Sequence, residues 1–143
     1  MIRLARSTDV DEIAELGLEF AEKSQNFHTF EPSLSKIWEG AKQIVENSSA
    51  ITIVLEVEGR IEGFIFGLIL SPMFSEELVL QEMAFYTRKG LGGLRLLKAF
   101  EREAEIRGIK KVAVGCKPDY CDLGNYYKRE GYKLLENQYL KEI

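Results

Sequence analysis

Arg88-Lys89-Gly90-Leu91-Gly92-Gly93-Leu94-Arg95-Leu96-Leu97 is a glycine-rich turn that follows an extended run and opens an amphipathic helix. Three glycines within four residues let backbone N–H groups approach an anion unobstructed. The unpaired N–H groups of a first helical turn add the positive end of the helix dipole. Arg88 and Lys89 add two full positive charges. Read alone, the same cluster also describes a tight strand-to-helix turn whose glycines serve close packing. The surrounding elements decide between the two.

Upstream of the turn, Leu78 to Tyr86 reads as a strand. Downstream, a helix from about Gly92 to Arg107 buries Leu94, Leu97, Ala99, Phe100 and Ala104, and Gly108 ends it. Further back, Ala50 to Val57 and Arg60 to Leu70 flank Glu58-Gly59 as a hairpin, and Ser71-Pro72 breaks the second strand. At the N-terminus Ile2 to Arg6 alternates as a strand, and Thr8 is the expected N-cap of a helix that fades around Lys23 to Asn26. Pro32-Ser33 opens a second helix with Leu34, Ile37, Trp38, Ala41, Ile44 and Val45 at helical spacing, ended by Asn47-Ser48-Ser49. After the glycine turn's helix come a short strand, Val112 to Gly115, and a helix from about Leu123 to Glu130 stopped by Gly131. Extended structure from Tyr132 to Ile143 closes the chain. The expected order is β-α-α-β-β-β-α-β-α-β. This is an α/β (α+β) fold with a mixed, mostly antiparallel sheet of six to seven strands and about four helices on both faces.

A length of 143 residues suits one domain, residues 1–143, without a linker. Hydrophobic residues at 45% and charged residues at 29% describe an ordinary globular composition. No apolar run approaches the ~20 residues that span a bilayer, and Met1 to Arg6 lacks the apolar core of a signal peptide, so a cytoplasmic protein without a membrane partner is expected. Cys116 and Cys121 have no matching CxxC or histidine pair, which points to free thiols and no metal. A net charge of −4 argues against a general nucleic-acid binder. The charge is nevertheless polarised. Eight Lys or Arg face three Glu between Arg88 and Lys111, and seven acids face Lys23 alone between Asp9 and Glu31. One half suits a polyanionic ligand and the other a cationic one, unless the acids simply form a solvated helix face.

Neither of two common phosphate motifs is present. After Gly90 and Gly92 the third glycine of GxGxxG is replaced by Arg95, and nothing matches GxxxxGK[ST]. Three segments together instead resemble the GNAT superfamily of N-acyltransferases over essentially the whole chain. They are Ile2 to Arg6 with Thr8 to Leu16, Glu82-Met83-Ala84-Phe85 through Leu97, and Tyr127-Lys128-Arg129-Glu130-Gly131-Tyr132. The resemblance implies acetyl-CoA as cosubstrate. Its pyrophosphate would rest on Arg88, Lys89, Gly90, Leu91, Gly92, Gly93 and Leu94, and its pantetheine arm on the backbone of Met83, Ala84 and Phe85. The family's Q/R-x-x-G-x-G/A pattern fits in two registers, one led by Thr87 and one that places Leu91 at a glycine position. The connection from Phe85 to the glycines is also shorter than the family's. Asn125 is the amide nearest the family's pantetheine-contacting asparagine, whose own position is taken by Tyr120.

Acetyl transfer from a thioester to an amine needs a neutral amine, a polarised carbonyl and a proton for the thiolate. By resemblance Tyr127 is the general acid, and a main-chain N–H near Ala84 polarises the carbonyl. Tyr127 could alternatively pack the last helix beside Tyr126 and Tyr132. Glu82, an acid within an apolar strand, is the candidate base; otherwise it turns outward or satisfies backbone groups where the strands splay. His28 is a second candidate base or a solvated loop residue, and many relatives need only ordered water. Phe27, His28, Phe30 and Glu31, with Glu19 and Glu22, would wall a pocket for a cationic amine, and Met73 to Glu77 its opposite lip. The aromatics could equally staple the loop to the core. The implied function is acetyl transfer to a primary amine of a small molecule or protein. A GNAT-like CoA-binding or interaction module without turnover is the other reading. The end of the chain offers a strand to a second copy in a homodimer.

Overall fold

A computed structural model describes residues 1–23, 30–88, 92–116 and 123–143. The elements run β1 (Ile2–Leu4), α1 (Val10–Lys23), α2 (Leu34–Glu46), β2 (Ala50–Val57), β3 (Arg60–Leu70), β4 (Val79–Thr87), α3 (Gly93–Ile106), β5 (Val112–Ala113) and α4 (Gly124–Arg129). The five described strands form one sheet in the order β1-β2-β3-β4-β5, antiparallel except for the parallel β4–β5 pair. The β2–β3 hairpin closes on Glu58 and Gly59, both at positive φ (51° and 79°), the twist that a two-residue hairpin requires.

Six or seven strands are expected from the sequence, but the described residues form five. Tyr132 to Ile143 contributes none. Leu134-Leu135 and Tyr139-Leu140 are adjacent pairs, so a strand through them would aim one apolar side chain of each pair at either face. All four are exposed, and only Tyr132 packs back, its hydroxyl donating to Glu101 at 2.6 Å. Burial and Glu101 together push that phenol's pKa far upward.

Helices cover both faces, and each face has its own core. Ile13, Ala14 and Leu16 of α1 and Ala41 of α2 pack against Val54, Ile61, Phe64, Ala84 and Tyr86. Leu96, Leu97, Phe100 and Ala104 of α3 and Tyr127 of α4 pack against Ile51, Ile53, Leu55, Ile65 and Leu80. Trp38, expected on the buried side of α2, is exposed.

Leu80 and Ala84 lie on opposite faces although their spacing is even. The cause is a bulge: Phe66 pairs with Ala84 and Gly67 with Glu82, which leaves Met83 without a partner on β3. Gly67 lies beneath this irregularity. A Cβ there would stand 2.5 Å from the Gln81 carbonyl oxygen and 2.6 Å from Phe100 Cζ.

The start of α1 is tied to the sheet by a polar cluster. Arg3 donates to both oxygens of buried Asp9 (2.7 and 3.0 Å) and to Glu56 Oε2 (2.8 Å). The Arg6 N–H donates to Asp9 Oδ2 at 2.7 Å, so Asp9 rather than the expected Thr8 caps this turn. The Arg3 guanidinium holds the Asp9 carboxyl below its ordinary pKa.

Two outcomes are expected. Gly67→Ala lowers stability by about 3 kcal/mol, read from urea unfolding, because the Gln81 backbone cannot yield. Asp9→Asn costs about 2 kcal/mol at neutral pH, since Arg3 keeps Glu56 but loses its buried partner. A depressed folded-state pKa means that the Asp9 contribution is complete above the ordinary value of 3.8 and is lost as pH falls below it. The gap between wild type and Asp9→Asn therefore narrows in unfolding curves recorded at progressively acidic pH.

Candidate active site

β5 pairs with β4 over only two positions, Leu80 with Val112 and Gln81 with Ala113. Beyond Ala113 the β5-facing edge of β4 has no strand partner among the described residues. Backbone groups with no strand to pair with are available to an extended ligand. The bulge occupies this same stretch, leaving Met83 51% exposed while Ala84 is buried and Phe85 half-buried against the α3 side.

Two side chains meet where β5 leaves the ladder. Glu82 Oε2 accepts the Gly115 N–H at 3.0 Å, and the Tyr127 hydroxyl donates to the Gly115 carbonyl at 3.1 Å. The expected acid and the expected base thus converge on one residue, Gly115, from α4 and β4. Tyr127 is buried, with its ring 6.2 Å from Tyr126 and 5.4 Å from Tyr132. The aromatic packing and the hydroxyl's placement at the splay therefore occur together. Glu82 likewise supplies the acceptor that a continuing β4 backbone would have offered β5.

The glycine turn ends at the N-terminus of α3. Gly92 is the N-cap at φ 83°, a conformation that favours glycine, and a Cβ there would meet Leu55 Cδ2 at 2.8 Å. A Cβ on Gly93 would lie 3.4 Å from Phe85 Cζ. Leu94 is exposed. No acid occupies the first turn of α3, so its N–H groups and dipole are not neutralised from within. Leu94 also borders a groove of about 590 Å³ between β1 and α3, which does not include Glu82 or Tyr127.

The Arg88 side chain does not join this turn. Its Nε donates to both oxygens of Glu19 at 3.0 and 3.1 Å, and a terminal nitrogen donates to Glu19 Oε1. A second contact reaches Glu62 at 3.8 Å, and Tyr86 Oη donates to Glu19 Oε2 at 3.1 Å. Arg88 and then Tyr86 hold Glu19 below its ordinary pKa, and Glu19 raises that of Arg88. The Glu19 carboxylate, expected in the wall of an amine pocket, is paired with Arg88 just beyond the end of β4.

Asn125 is exposed on α4. Glu31 is exposed and borders a cavity of about 290 Å³ with Phe30, Lys36 and Ile37. Phe27, His28, Lys89, Gly90 and Leu91 lie outside the described residues. Sequence reading missed the bulge, the meeting of Glu82 and Tyr127 at Gly115 and the Glu19–Arg88 pair. Only the bulge leaves a trace, because adjacent polar residues Gln81-Glu82 interrupt the alternation of β4.

No protein-family model and no curated protein sequence matches the chain. Solved structures do. A ribosomal-protein-alanine N-acetyltransferase from Brucella melitensis biovar Abortus 2308 superposes with a TM-score of 0.74 at 18% identity, covering 100% of this chain and 98% of the other. A predicted acetyltransferase with acetyl-CoA from Clostridium acetobutylicum gives 0.73 at 14% identity, covering 99% and 95%. An aminoglycoside acetyltransferase from an uncultured soil metagenomic sample, in complex with sisomicin, gives 0.69 at 17% identity, covering 100% and 93%. With its bulged β4, its splayed β5 and full-length superposition on these acetyltransferases, the chain has the fold of the GNAT N-acetyltransferases.

Proposed function

We propose that this chain is an acetyl-CoA-dependent N-acetyltransferase acting on a primary amine. The observation that carries this reading is the meeting of Glu82 and Tyr127 at Gly115, where β4 and β5 part. In this reading pantetheine lies along the unpaired edge of β4 at Met83 to Phe85. The pyrophosphate takes the N–H groups around Gly92 to Leu94, with the rest of the turn from Arg88 contributing backbone.

The amine nitrogen attacks the thioester carbonyl, whose developing negative charge is met by a backbone N–H near Ala84. Collapse breaks the C–S bond, and the thiolate takes the Tyr127 proton, released from the Gly115 carbonyl. The amine's own proton leaves toward Glu82, directly or through water, and Tyr127 is reprotonated from solvent. Neighbours of the same fold include enzymes named for ribosomal-protein alanine and for aminoglycosides, both amine-bearing acceptors, which supports an amine here. Asn125 on α4 and Glu31 near the α2 start are assigned to pantetheine and acceptor, respectively.

Acetyl-CoA at about 100 times its Kd raises unfolding stability by about 2.7 kcal/mol, visible as an upward thermal shift. Absence of any shift at millimolar acetyl-CoA would remove the cofactor from this reading. With thiol release followed over an amine panel, Tyr127→Phe lowers kcat about 100-fold. An unchanged rate would leave Tyr127 with only its packing role.

A further inference from the structure

The groove between β1 and α3 lies apart from Glu82 and Tyr127, and three of its features converge. The first is an open sheet edge. β1 ends the strand order, with no strand beyond it among the described residues. The Ala5 N–H donates to the Thr52 carbonyl and the Glu56 N–H to the Met1 carbonyl, so Met1 and Ala5 turn main-chain groups toward β2. Antiparallel alternation then turns those of Ile2 and Leu4 outward, where the Leu4 carbonyl accepts from the Arg3 guanidinium at 3.2 Å. The second is an apolar lining, around which Leu4, Leu94 and Ile106 are 45%, 49% and 69% exposed. The third is charge. Arg95, Lys98 and Arg102 recur at helical spacing along an exposed side of α3, and the one acid in the lining, Glu103, is paired with Arg107 at 2.9 Å. Lys98 meets Glu130 at 3.2 Å on the surface, whereas Arg95 and Arg102 have no acidic partner among the described residues.

We infer that this groove docks an extended acidic segment of a partner protein, which adds a strand to the outer edge of β1. Main-chain groups of the segment pair with Ile2 and Leu4, its apolar side chains cover Leu4, Leu94 and Ile106, and flanking carboxylates meet the cations of α3. From Arg95 to Arg102 the helix rises about 10 Å, the length of about three strand residues, so one short segment reaches the whole stripe. The shortness of β1 limits indiscriminate pairing, and the cations select against basic segments. A second copy of this chain fits poorly. The exposed acids of α1, Asp11, Glu15 and Glu22, belong to the other face of the sheet, so acid-to-base contact between copies is head to tail rather than self-complementary. Single-stranded nucleic acid fits poorly too, since no aromatic ring lines the groove for a base to stack on. Docking here is independent of the acetyl-CoA reading.

The test is fluorescence anisotropy of the full chain with a labelled peptide in which valine alternates with threonine and glutamates flank both ends. A Kd below about 1 mM is expected, weakening as salt rises, and the same peptide with lysine for glutamate binds at least about tenfold more weakly. Arg102→Glu weakens binding about tenfold, as does Leu4→Pro, which removes an outward N–H, whereas Leu4→Val does not. Arg102 and Leu4 are both exposed, and melting temperatures separate lost docking from lost fold. Arg102→Glu decides the matter if Leu4→Pro melts early. Saturating CoA leaves the peptide's Kd unchanged within about twofold, because the two sites are separate. A Kd above about 1 mM, equal binding of the lysine peptide, indifference to Arg102→Glu, or displacement by CoA overturns the inference. So does tighter binding of labelled oligothymidylate, which gives the groove to nucleic acid. A sedimenting dimer that Arg102→Glu breaks overturns it as well, giving the groove to a second copy.

Discussion

Met83 is one residue too many for the β3–β4 ladder, and the composition of both cores follows from where the chain places it. A strand without the bulge would send Leu80, Ala84 and Tyr86 to one face. With it, Leu80 joins the α3 core while Ala84 and Tyr86 join the α1 core. Tyr86 can therefore reach Glu19, and Phe85 can lie beneath Gly93. One inserted residue thus directs Tyr86 to Glu19 on one side of β4 and Phe85 to Gly93 on the other. The missing side chain at Gly67 is part of the same arrangement, since β3 must lie close to Gln81 and Phe100 at this point.

A splayed sheet leaves backbone groups without strand partners. Side chains take the place of a strand partner at Gly115. Glu82 replaces the missing acceptor and Tyr127 the missing donor, so the opening between β4 and β5 is held by the groups that the proposed chemistry uses. Stability and reactivity are coupled there. A phenol whose proton rests on a carbonyl is pre-oriented.

Much of this was legible in the sequence because it rests on local rules. Glu58-Gly59 announces its hairpin, Ser33 its helix start, and Gly92 and Gly108 bracket α3. Tyr127 was singled out by the family resemblance and Glu82 by an acid's oddity within an apolar strand, and the structure brings both to one residue, Gly115. What could not be read depends on pairing between distant segments. Nothing near Arg88 says that its partner is Glu19, 69 residues earlier, rather than an anion. Nothing near Asp9 says that Arg3 bridges it to Glu56. The C-terminal segment failed for the converse reason: its residues have strand propensity, but adjacent apolar pairs give no single face to bury, and propensity without burial does not make a strand.

The charge balance at the turn has a further consequence. With the Arg88 guanidinium matched by Glu19, an anion at the start of α3 would meet backbone N–H groups and the helix dipole rather than that cation. Arg95 stands in the first turn of α3, exposed and with no acid in the turn beside it. A positive side chain at the positive end of a helix is unfavourable by about 0.3–1 kcal/mol. A bound anion reverses that sign, so the same residue that slightly weakens the empty helix strengthens the occupied one. The start of α3 is therefore electrostatically complementary to an anion, in keeping with the phosphate position of the proposed reading.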